Sequence, residues 1–111
     1  MFTKGNFQNI MKQAKNVQEK LEATQAELEK LEIKGQAGGG MIVAMVNGKQ
    51  ELLSLKIDPE ILSDDVEMVE DLIVAAVNQG LTKAGEESQK RMSGISGSVL
   101  GSLGDLQIPG T

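Results

Sequence analysis

The sequence predicts an α+β protein: a long N-terminal helix, a short three-stranded antiparallel sheet with one clear hairpin, and a second long helix. Three observations carry this expectation. Residues 7–32, FQNIMKQAKNVQEKLEATQAELEKLE, place apolar residues at alternating spacings of three and four. Residues 38–57 pass from three glycines through an apolar run and an Asn-Gly pair into an alternating return. Residues 64–92 then recover a helical period.

In the first stretch Phe7, Ala14, Leu21 and Leu28 form one register, and Ile10, Val17, Thr24 and Leu31 the other. This repeat belongs to a coiled-coil seam, a face made for another helix. The buried face of an ordinary helix shares part of the pattern, so length decides. The stretch spans about 39 Å as a helix, against a radius of gyration of roughly 13 Å for a compact domain of this size. It is expected to project, with Asn6 as its N-cap.

Residues 32–37 read as a short edge strand, and the Gly38-Gly39-Gly40 run that follows excludes helix. The next segment, MIVAMV, meets Asn47-Gly48, a strong hairpin-turn signal, and KQELLSLKID returns. A two-residue loop would set Val43 opposite Leu52. A three-residue loop sets Val43 opposite Leu53 and Met41 opposite Leu55, and is preferred because it gathers Met41, Val43, Leu53 and Leu55 on one face.

Asp58-Pro59 opens a helical turn over residues 58–62, and Ser63 or Asp64 caps the second helix. This helix is expected to end near Met92. Its apolar face includes Val66, Val69, Leu72, Ile73, Ala76, Val77, Leu81 and Ala84. Ala76, Gly80 and Ala84 line up at four-residue spacing, which lets another backbone approach closely. Residues 93–111 are rich in Gly and Ser and read as a flexible tail, so residues 1–92 are expected to form the single domain.

Chemistry is constrained from the start. The 111 residues include no Cys and no His, which removes thiolate and imidazole catalysis and the usual zinc ligands. No enzyme activity, cofactor or metal is expected. A phosphate-binding glycine loop opens a helix, whereas this triple glycine leads into a strand. The acidic run over residues 58–71 lacks calcium-loop spacing and suits the positive end of a helix dipole. No apolar run is long enough to span a bilayer, so a cytoplasmic location without membrane association is expected.

The formal net charge of −5 hides a polarised distribution. Residues 1–18 carry Lys4, Lys12 and Lys15 and no carboxylate. Beyond them Glu19, Glu22, Glu27, Glu29 and Glu32 outnumber Lys20 and Lys30. On the heptad, Lys12 and Lys15 lie away from the seam, as do Asn9 and Asn16. A row of cations and amides fits a phosphate backbone. Lys90 and Arg91, near the expected end of the second helix, also suit its negative dipole end.

Four blocks together carry a resemblance: MFTKGNFQNIMKQAKNVQEK, LEIKGQAGGGMIVAMVNGKQEL, LKIDPEILSDDVEMVEDLIVAAVNQ and the late IPG. In order and spacing they resemble the YbaB/EbfC family of nucleoid-associated DNA-binding proteins. The resemblance implies a tweezer-like homodimer whose long helices reach out as arms around double-stranded DNA. It implies Lys4, Lys12, Lys15, Lys90 and Arg91 as DNA-binding positions. It also implies a place in the nucleoid, with a role in nucleoid organisation or gene regulation and no small-molecule substrate. Glu86 and Glu87 stand beside the second cluster and depart from a uniformly basic arm. The competing expectation is a prefoldin-like coiled-coil chaperone or protein adaptor, which shares the order helix, hairpin, helix.

Overall fold

The computed structural model describes residues 4–104. The elements are α1 (Lys4–Lys30), β1 (Ile33–Ala37), β2 (Ile42–Val46), β3 (Leu52–Ile57) and α2 (Val66–Gly104). Short 3-10 turns lie at Gly38–Gly40 and Pro59–Ser63. The sheet is antiparallel in the order β1-β2-β3. The molecule measures 73 × 27 × 16 Å, and α1 projects as expected, with every described residue before Val17 exposed.

The core forms where α2 lies across β1 and β2. Ile42, Ala44 and Val46 alternate inward along β2, and Ala76 of α2 packs with Ile42, Ala44 and Ile61; all of these and Ala84 are buried. Gly35 on β1 allows this close approach. A methyl group built there would fall 2.5 Å from the Gly80 amide nitrogen and against the Ala76 carbonyl oxygen. Gly80 in turn sits where an added Cβ would meet Val46 Cγ1 at 3.3 Å. The line of small residues on α2 is therefore a packing surface for backbone.

Side chains of α2 also close the outer edge of β1. Gln79 Oε1 accepts the Gln36 amide at 2.8 Å, and Lys83 Nζ donates to the Lys34 carbonyl at 3.1 Å. An open strand edge invites pairing with another chain, and here one of the two is blocked. Among the described residues no side chain does the same for β3. All of β3 except Ile57 is exposed, including Leu52, Leu53 and Leu55.

The preferred hairpin register is not the one adopted. Val43 pairs with Lys56 and Ala44 with Leu55, with an irregularity after Met45 that leaves Leu53 outside the pairing. The loop is longer than expected because Asn47 organises it from within and Gly48 packs against α1. Buried Asn47 accepts the Lys49 and Glu51 amides on its Oδ1, each at 3.0 Å. Gly48 donates to the Leu28 carbonyl at 2.7 Å and has no space for a side chain, since a Cβ would lie 2.8 Å from that oxygen. The inward set becomes Ile42, Ala44 and Val46, while Met41 and Val43 leave the core.

Three boundaries also differ from expectation. The described helix already includes Lys4, so Asn6 lies within it. The first turn of α2 is capped by Asp65, whose Oδ1 accepts the Glu67 amide at 3.2 Å, in place of Ser63 or Asp64. The helix passes Met92 and continues to Gly104; the remainder of the expected tail, residues 105–111, lies outside the described residues. Asp58 does cap the turn before α2, accepting the Glu60 amide at 3.0 Å.

The same substitution should have opposite effects at two glycines. Gly35→Ala drives a methyl group into helix backbone and is expected to cost about 1–3 kcal/mol. Gly94→Ala meets open space in a helix and should stabilise by roughly 1 kcal/mol. Urea unfolding midpoints of the two variants check both signs.

Candidate nucleic-acid interface

The outer half of α1 presents its charges freely because little of the chain packs on it. The expected seam is partly covered at Val17, Leu21, Thr24 and Leu31 and fully buried at Leu28. Nearer the N-terminus the cover ends. Phe7 is 59% exposed, Met11 56% and Ile10 38%. Lys4, Lys12 and Lys15 are exposed, and the first turn of α1 contains no acidic residue. The positive end of the helix dipole therefore adds to the lysine charges instead of being neutralised.

Lys90 and Arg91 stand elsewhere. Lys90 lines a hollow with Leu31, Ile33, Lys83, Glu86 and Glu87, at the root of the arm. Arg91 NH1 contacts Glu27 Oε2 at 2.9 Å and its Nε contacts Glu87 Oε1 at 3.1 Å. The guanidinium thus ties α1 to α2, using its two nitrogens for two carboxylates in the manner its planar fork allows. Glu27 lies twelve residues from Lys15 and fifteen from Lys12 along α1. That places the two tip lysines about 18–23 Å beyond the Arg91 contact. The five sequence candidates form two groups: a free basic tip and a partly neutralised base.

Sequence reasoning missed the role of Arg91 as a tie. Glu87 and Arg91 are spaced i,i+4, the usual signature of a helix ion pair, but the partnership with Glu27 joins residues sixty-four positions apart. It also missed the exposed apolar residues of the tip, because Phe7 and Ile10 were assigned to the seam. The acidic run over residues 58–71 contributes local caps through Asp58 and Asp65. Among the described residues, no helix is long and apolar enough to cross a membrane.

Comparison with known proteins gives the family and the fold. The model of the YbaB/EbfC DNA-binding family matches residues 4–99. A nucleoid-associated protein of Chlorobium phaeobacteroides is 50% identical over 96 residues, covering 86% of each chain. One from Clostridium perfringens is 49% identical over 96 residues with the same coverage. A solved structure of an uncharacterized Helicobacter pylori protein shares the fold, with a TM-score of 0.67 at 22% identity over 84% of this chain and 95% of the other. The relatives are named for association with the nucleoid and not for catalysis, and the chain belongs to the YbaB/EbfC DNA-binding family.

Proposed function

We propose that this protein is a nucleoid-associated factor that binds duplex DNA as a homodimer, mainly through backbone phosphates, and contributes to nucleoid organisation or gene regulation. The observation that carries the reading is the basic tip. Lys4, Lys12 and Lys15 project from a stretch with no carboxylate, at the end of an arm that reaches away from the acidic body. Family membership supplies the class of partner. Lys90 serves as a secondary contact near the arm root. Arg91 joins it when a phosphate displaces Glu27 or Glu87.

Homodimerisation rests on the β3 side of the sheet. Ile57 packs against the core, but Leu52 and Leu55 farther along β3 stay exposed, and Val66 and Val74 on α2 are 67% and 57% exposed. Two copies meeting at this edge would continue the sheet and cover the leucines. The two arms then form the jaws of a tweezer. An adaptor or chaperone role has one observation in its favour, the pairing of α1 with α2 inside one chain. It does not account for the acid-free tip.

Lys12→Glu combined with Lys15→Glu is expected to weaken binding to a random duplex more than about tenfold at fixed salt, read by fluorescence anisotropy. Unchanged binding would sink the tip-contact reading. Suppression of client aggregation without any duplex binding would favour the chaperone instead. For the dimer, light scattering of the wild type at micromolar concentration should give twice the 11.8 kDa chain mass. Leu52→Asp with Leu55→Asp should give the monomer.

A further inference from the structure

The tip of α1 has chemistry that phosphate binding does not use. Phe7, Met11 and Lys15 follow one another at four-residue steps and so share one ridge of the helix, with Lys4 three residues before Phe7. Gln8 and Lys12 form the adjacent ridge. Phe7, Gln8, Met11, Lys12, Lys15 and Gln18 together line one shallow hollow along α1. A surface meant only for phosphates gains nothing from two large apolar side chains left more than half exposed.

We infer that this ridge of α1 enters the major groove of DNA and reads base edges, with A·T pairs preferred. The inference rests on duplex DNA being the partner. A helix with side chains is about 10–12 Å across, which suits the roughly 12 Å major groove and not the roughly 6 Å minor groove. Phe7 and Met11 meet thymine C5-methyl groups, the one apolar feature of the groove floor. Gln8 and Gln18 offer the amide pair that matches adenine N6 and N7. Lys12, on the adjacent ridge, and Lys4 and Lys15, at the two ends of the apolar pair, reach the phosphates and hold the helix in place. Charge selects this partner over a second copy of the arm, because a matching tip would bring like charges together.

The test uses two duplexes of identical A·T-rich sequence, one with thymine and one with deoxyuridine, which lacks only the methyl group. Full-length wild type should bind the thymine duplex more tightly, by about fourfold for each methyl group fully covered. Phe7→Ala with Met11→Ala should abolish that preference and leave the dependence on salt unchanged; circular dichroism confirms the fold of this surface variant. Equal binding of wild type to both duplexes overturns this inference alone. A change in molar mass of the variant by light scattering assigns the ridge to contact between copies and overturns it too. Failure of wild type to bind either duplex overturns the proposed function along with it.

Discussion

The contact between Gly35 and the Ala76–Gly80 segment of α2 sets the rest of the molecule. Helix backbone lies against strand backbone there with no side chain between them. That fixes α2 over β1 and β2, where its small residues fit, and off β3. Three consequences follow from this one placement. Gln79 and Lys83 fall beside the edge of β1 and close it. The leucines of β3 stay uncovered. The distal part of α2 runs past the sheet, where Arg91 can hold α1 through Glu27.

Electrostatics then depends on length. A protein of net charge −5 repels DNA as a whole, but screening at physiological ionic strength acts over about 8 Å. The tip lysines lie roughly 18–23 Å beyond Glu27 along α1, more than two screening lengths away. The carboxylates of the arm base and body therefore do little to cancel the field at Lys4 and Lys12, while Glu19, four residues past Lys15, lies within one screening length of that lysine. In this view the rod separates charges of opposite sign, and Arg91 and the Gly48–Leu28 contact hold its base at a defined angle.

Local periodicity was enough to identify most of the fold. The seam of α1 was legible from Val17 to Leu31, and so was the small-residue line of α2, because each obeys a simple helical repeat. The sheet was legible as three strands but not in its register. Leu53 and Leu55 alternate as core residues would, yet β3 is an edge strand beyond the reach of α2, a tertiary fact that no local pattern encodes. Asn47-Gly48 misled for a related reason: the glycine is required by the carbonyl of Leu28, twenty residues earlier in the chain. The end of α2 was placed too early because the glycines at residues 94 and 97 each cost a helix about 1 kcal/mol, and the helix nevertheless runs through them. Within the candidate site, the charge of the tip was readable from composition, whereas the burial state of Phe7 and Met11 and the partners of Arg91 required coordinates.

The central claim is that the basic tip meets phosphates, and the salt dependence of binding tests it most directly. Each neutralised phosphate contributes about 0.9 to the slope of log K against log salt concentration. The slope should therefore be steep for the wild type, and removing the charges of Lys12 and Lys15 together should reduce it by about 1.8 for each arm engaged. An unchanged slope in that variant would contradict the account, whatever the affinity.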